Sequence, residues 1–320
     1  VNAVEYEDPE LAEHALRLQD PDPSVRRIAL LGLADLDGNE HLPLLLAALD
    51  DTDAAVRAEA ARALEAFESP AAARALARLL ADPVEEVRGA AAQSLSELKQ
   101  AASAQELIPY IGSPDGFVRA AALRSVRELR LEASFAPALD ALQDADPLVR
   151  REAVAVLGYL KRADGLPSLM HLTAHDASPE VRRAAAGALG LANDDTVLPA
   201  LVAALADSAW QVREEAATTL GKVGLPAAAP QLIAALEDPY WQVRLRAARS
   251  LGRLRCQAAL PGLTEALTHT ISNLRKEAAL ALGEIASPDA LPALEQAAGD
   301  ADPEVRKSVR LAIQQIRAAA

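Results

Sequence analysis

A Val-Arg pair returns along this chain at a nearly fixed interval. It stands at Val25-Arg26, Val56-Arg57, Val87-Arg88, Val118-Arg119 and Val149-Arg150, then at Val181-Arg182, Val212-Arg213, Val243-Arg244 and Val305-Arg306, with Leu274-Arg275 as the one variant. The spacing is 31 residues throughout, apart from a single 32 between the fifth and sixth copies. Ten copies in register cannot be chance. A period of this size belongs to architectures in which each repeat is one small supersecondary unit that hides its apolar face only against its neighbours.

Each copy predicts two helices. Counting the Val as zero, small or apolar residues fall at +4, +5, +7, +8 and +11, a helical spacing with no strand alternation, as in "VRRAAAGALGLA". Asp or Ser three residues earlier (Asp22, Asp53, Asp115, Asp146, Ser178, Asp302) stands where a helix N-cap belongs. Pro23, Pro147, Pro179 and Pro303 follow at the first helical position. Gly158, Gly190, Gly221, Gly252 and Gly283 lie where the helix either ends or comes close to a neighbour. A shorter helix follows, typified by "LPALVAALAD", with Pro43, Pro167, Pro199, Pro230, Pro261 and Pro292 in its first turn. The expected architecture is all-α: a right-handed α-solenoid of about ten two-helix repeats, one domain over residues 1–320.

Composition narrows the function. Hydrophobic residues make up 51% but aromatics only 3%, so the core must be Ala, Leu and Val. A net charge of −14 opposes binding to a phosphate backbone or an anionic membrane, so neither nucleic acid nor membrane is expected as a partner. A lone Cys256 offers no internal disulfide. The acidic N-terminus shows no signal-peptide pattern, which makes a cytoplasmic location the default, and a start at Val1 fits a trimmed end.

"DPSVRRIALLGLADL", "DPLVRREAVAVLGYL" and "DPEVRKSVRLAIQQI" resemble the short HEAT-like repeats of the phycobilin-lyase type, and the resemblance covers essentially the whole chain. It implies that the Val-Arg helix lines the groove, with positions −2, −1, +2, +3, +6 and +10 facing outward. It also implies that each Arg at +1 pairs with an Asp at −5 or −3 of its own or an adjacent copy. That family includes a di-iron hydroxylase with His-Glu ligand pairs; this sequence has no His-Glu dipeptide. His171 and His175, four apart, are expected at a helix end rather than on a metal, and no catalytic residue, metal or cofactor is assigned.

The candidate binding residues are aromatic and cationic. Trp210 and Trp241, both at −2, are the only tryptophans, and other copies carry smaller residues there. Regular stacking would set them side by side and exposed, as partner anchors. Arg246, Arg249 and Arg253 form a stripe at +3, +6 and +10 of the eighth copy. Arg246 has Glu215 and Glu277 at its own level, whereas Arg249 faces only Thr218 and Leu280, making it the cation least explained by an ion pair. Tyr240, Tyr159 and Phe117 add aromatic area, and Glu85, Glu86, Glu97 and Glu128 offer acid. The expected function is a non-enzymatic scaffold whose groove holds a protein partner through a basic or extended segment. The alternative implied by the resemblance is a lyase or chaperone-like maturation factor handling a tetrapyrrole or another cofactor.

Overall fold

A computed structural model describes residues 8–36, 38–192 and 195–319. The described residues form α-helices and short 3-10 segments, without a strand. They fall into two compact units, the first ending at Leu160 and the second starting at Lys161.

The first unit contains α1 (Pro9–Arg17), α2 (Pro23–Ala34), α3 (Leu42–Ala48), α4 (Ala54–Ala63), α5 (Pro70–Leu79), α6 (Glu85–Ser96), α7 (Ala101–Gln105), α8 (Gly116–Val126), α9 (Phe135–Ala141) and α10 (Pro147–Leu160). The second contains α11 (Leu166–His175), α12 (Pro179–Ala188), α13 (Leu198–Ala204), α14 (Trp210–Val223), α15 (Ala229–Ala234), α16 (Trp241–Arg253), α17 (Leu260–Ala266), α18 (Ser272–Ile285), α19 (Leu291–Ala297) and α20 (Pro303–Ala319). Each even-numbered helix carries a Val-Arg or Leu-Arg pair. Within each unit it packs on the even-numbered helices before and after it, and each odd-numbered helix packs on the even-numbered helix that follows it.

Local chemistry explains the boundaries. The Asp22, Asp53, Asp115 and Ser178 side chains accept hydrogen bonds from backbone N–H groups two or three residues on, satisfying donors that a helix start leaves open. Proline occupies the first turn in α2, α12 and α20 and in most odd-numbered helices, where its missing N–H breaks no bond. The repeated Val is buried in every copy after the first, from Val56 to Val305, with Leu274 taking its place in the ninth. A buried Leu or Val lies eight residues later, for example Leu95, Val126 and Leu251, and the odd-numbered helices bury leucines of their own, such as Leu45, Leu201 and Leu263. Each such leucine contributes about 1.5–3 kcal/mol through removal from water.

Glycine sets the spacing at one level of the second unit. A Cβ on Gly252 would lie 2.8 Å from the Ala281 Cα, and one on Gly283 would lie 2.9 Å from the Ala312 Cα. These glycines therefore serve close helix approach rather than helix termination. At the +7 level, Ser94 and Ser250 donate to the carbonyls of Ala61 and Ala217 in the preceding even-numbered helices at 2.8 and 2.7 Å.

Candidate functional site

The Arg at +1 belongs to the scaffold. Arg26, Arg57, Arg119, Arg182, Arg213 and Arg275 each grip a carboxylate 25 residues on, respectively Asp51, Asp82, Asp144, Asp207, Asp238 and Asp300. Both Nε and Nη2 donate, which is the fork geometry that suits guanidinium to carboxylate. The free Nη1 donates to two carbonyls at the start of the same turn, as Arg182 does to Asp176 and Ala177. The acid is thus always the −5 residue of the next copy, the narrower of the two sequence expectations. Hydrogen bonds from Arg119 and Arg275 hold the Asp144 and Asp300 carboxyls below the usual carboxylate range. At Asp82 and Asp207 partial burial is the largest influence and works in the opposite sense, yet the arginine and backbone hydrogen bonds together still lower them.

A second kind of pair crosses the exposed face of the even-numbered helices. Arg249, on α16, donates from Nε and Nη2 to Glu277 of α18 at 2.8 and 2.6 Å. In the first unit Arg124, on α8, points at Glu152 of α10 at 3.5 Å, and that carboxylate also takes Arg151 at 2.9 Å and faces Arg127 at 3.6 Å. Both glutamates are buried. The expectation that Arg249 lacks a counterion is therefore corrected. Helical side chains lean toward the N-terminus, so a +6 arginine meets the +3 residue of its neighbour, one turn earlier, rather than the +6 residue. Arg246 likewise pairs with Glu214 at 3.0 Å, and not with Glu215 or Glu277 at its own level.

The aromatic residues divide into two groups. Trp210 stacks on Tyr240, with ring centroids 5.5 Å apart and planes 14° from parallel. The Tyr240 ring also lies 5.6 Å from the Arg213 guanidinium, which Asp238 holds in place. Trp210 thus has Tyr240 as its stacking partner, and the expected exposure is corrected: both tryptophans are half-buried while Tyr240 is 45% exposed. The cause is position. Tyr240 is the residue just before α16, so its ring reaches back over the start of α14.

Trp241 lines a separate open groove of about 540 Å³ between α16 and α18. Leu245 and Leu280 give it apolar walls, and Arg246, Arg249 and Lys276 border it with Glu214 and Glu277. Gln242 and Asn273 add amides. Every α16 and α18 residue in this lining occupies one of the positions −2, −1, +2, +3 and +6. Sequence reasoning did not single out Glu214, Gln242, Asn273 or Lys276; all four stand at −1 or +2, outward positions of the repeat, and that register is the signal that finds them. Arg253 is exposed and borders a different depression, at the C-terminal ends of α16 and α18, with Arg255 and Glu284. Burial raises the Glu284 carboxyl above its usual range, against the pull of Arg253.

Phe117 and Tyr159 lie in the first unit. Phe117 is 40% exposed with the Arg88 guanidinium 5.7 Å from its ring centre. The Tyr159 hydroxyl lies 3.5 Å from Glu128. Glu85, Glu86, Glu97 and Glu128 are all exposed. Among the described residues no three His, Cys, Asp or Glu side chains converge as a metal site, and no helix is long and apolar enough to cross a membrane. The His171 and His175 rings meet edge-on at 4.8 Å.

Comparison with known proteins agrees with this architecture. No curated protein matches the sequence. Among solved structures, Kap95p, whose binding acts on the switch loops of RanGDP, aligns with a TM-score of 0.68 at 17% identity, covering 96% of this chain and 51% of its own. Kap121p, bound to the extreme C-terminus of the phosphatase Cdc14p, aligns at 0.67 with 16% identity over 99% of this chain and 42% of its own. This chain thus spans about half or less of those karyopherins. An engineered protein aligns at 0.53 with 21% identity over 97% of this chain and 99% of its own. These likenesses concern the fold. The model for HEAT repeats matches residues 9–96, 76–158, 104–177, 135–218, 166–239 and 229–314, and on that continuous coverage the chain belongs to the HEAT-repeat family.

Proposed function

We propose that this chain is a non-enzymatic protein-binding scaffold, with its principal contact surface on the exposed face of α14, α16 and α18. The observation that carries this reading is the pairing of pre-fixed rings with an open groove. Trp210 and Tyr240 are already stacked and Tyr240 is braced by Arg213, so a partner would lose little entropy in ordering them. Trp241, Leu245 and Leu280 beside them would receive an apolar side chain. Rigid aromatic rings in partly desolvated settings are frequent centres of binding energy. Two solenoids of similar fold, Kap95p and Kap121p, engage proteins, which supports a protein partner.

Arg246 and Arg249 would act mainly as groove walls, because Glu214 and Glu277 already neutralise them. The same neutralisation weighs against the tetrapyrrole alternative, whose propionates would require free cations. In the first unit, the carboxylates of Glu85, Glu86, Glu97 and Glu128 would meet basic residues of a partner, an attraction that salt would weaken.

The test is affinity capture of a partner, followed by titration with the Trp210→Ala/Trp241→Ala protein. Loss of about tenfold or more in affinity, from an unchanged helical spectrum, is the expected result. Unchanged affinity would remove the second unit's aromatic surface from the interface.

A further inference from the structure

We propose that Ser113 is a phosphorylation site, and that its phosphoryl group supplies the acid that is otherwise lacking between α6 and α8. Ser113 stands at the −5 position of the fourth copy, where Asp51, Asp82, Asp144, Asp207, Asp238 and Asp300 stand in theirs. Its turn keeps the shape of the aspartate turns. The Ser113 Oγ accepts from the Asp115 N–H at 3.2 Å, as Asp51 Oδ1 does from Asp53 and Asp144 Oδ1 from Asp146. Arg119 donates to the Ser113 and Pro114 carbonyls, as Arg57 does to those of Asp51 and Thr52.

The arginine on the other side is equally prepared. Arg88 Nη1 donates to the Asp82 and Pro83 carbonyls at 2.9 and 3.3 Å, the same anchoring found in the complete junctions. Its Nε and Nη2 edge, which in six other copies grips an aspartate, makes no ion pair among the described residues, and the guanidinium lies against Phe117 instead. The corresponding break at Arg244 differs. There the −5 residue is His269, whose Nδ1 accepts from the Ile271 N–H, so no hydroxyl is available.

A serine phosphate carries about −1.5 to −2 charge and three strong acceptor oxygens, the chemistry that orders a segment facing an arginine. Ser113 is half-buried, and its neighbours Gly112, Pro114 and Asp115 are exposed, so the turn is open to an enzyme. In the transfer, a lone pair on Ser113 Oγ attacks the terminal phosphorus of a nucleoside triphosphate bound to a partner kinase. The bridging P–O bond breaks with its electrons remaining on the nucleoside diphosphate, and the hydroxyl proton passes to the kinase's base. The product would tie α6 to α8 beside Phe117.

The experiment uses the full chain with phosphoserine installed at position 113, compared by thermal unfolding with the Ser113→Ala and Ser113→Asp proteins, each with Arg88 and with Arg88→Gln. The phosphorylated and Ser113→Asp proteins are expected to melt about 2–4 °C above Ser113→Ala, and Arg88→Gln is expected to erase the difference. A phosphorylated protein that melts no higher than Ser113→Ala, or a gain that survives Arg88→Gln, overturns the proposal. Trypsin releases residues 100–119 as one peptide, cutting after Lys99 and Arg119. A phosphoryl group on Ser113 in that peptide from the native host supports the assignment, and complete absence across growth phases overturns it.

Discussion

At the scale of single residues, two buried glutamates in equivalent positions differ in how many arginines hold them. Glu277 is gripped by Arg249, whereas Glu152 has Arg124, Arg127 and Arg151 around it. Removing the arginine that grips a buried carboxylate leaves much of its desolvation uncompensated, which costs about 1–3 kcal/mol or more. Arg249→Ala is therefore expected to lower stability by roughly that amount, and Arg124→Ala by well under 1 kcal/mol, since Arg151 remains at 2.9 Å. Urea unfolding of the two variants checks this; equal losses would show that the number of arginines around the acid is irrelevant. Adding Glu277→Gln to Arg249→Ala should restore part of the loss, because a neutral amide is cheaper to bury. The same residues show where the sequence stopped being legible. The identities and outward positions of Arg246 and Arg249 are plain from the repeat, but their partners depend on the tilt of side chains along neighbouring helices. A comparison of equal levels misses that tilt.

At the scale of elements, the helices were legible nearly to their ends, because caps, prolines and the apolar period all agree on the same boundaries. Pro9–Arg17 and Pro303–Ala319 form the first and last helices where the pattern places them. The glycines were ambiguous, since one residue type serves both helix ends and close packing. Geometry separates the two uses: Gly224 takes φ +75° after α14, while Gly252 faces the Ala281 backbone. Gly252→Ala would force α16 and α18 apart and is expected to cost about 1–3 kcal/mol. Gly89, inside α6, has nothing within 4 Å of an added Cβ. Gly89→Ala should instead stabilise by about 0.5–1 kcal/mol through reduced backbone freedom in the unfolded chain. Opposite signs in thermal unfolding are the expected outcome; destabilisation by both would mean that α6 needs its glycine for another reason. The aromatic surface was only half legible. The repeat makes Trp210 and Trp241 stand out, but the stack on Tyr240 arises from the turn before α16, where periodicity says little.

At the scale of the whole molecule, stability in a repeat protein is a sum of repeat and nearest-neighbour terms, so a device present at many junctions acts many times over. The Arg–Asp ladder is such a device, and among the described residues it includes Arg26–Asp51, Arg57–Asp82 and Arg119–Asp144 in the first unit and Arg182–Asp207, Arg213–Asp238 and Arg275–Asp300 in the second. All six aspartates ionise below their ordinary range in the folded chain. A carboxyl group whose pKa is lowered by folding adds stability that is fully present above its unfolded value, about 3.9, and disappears as pH falls through the folded value. The melting temperature is therefore expected to be insensitive to these six groups from neutral pH down to about 5 and to drop steeply below about 4. Asp207→Asn tests the origin of that drop. It abolishes one titration while leaving an amide that still accepts from Arg182, so the variant should melt lower at neutral pH, and its deficit should shrink as the acid limb is entered. A deficit that stays constant from pH 7 to 3 would mean that the ladder works through shape and hydrogen bonding alone, with the carboxylate charge contributing nothing.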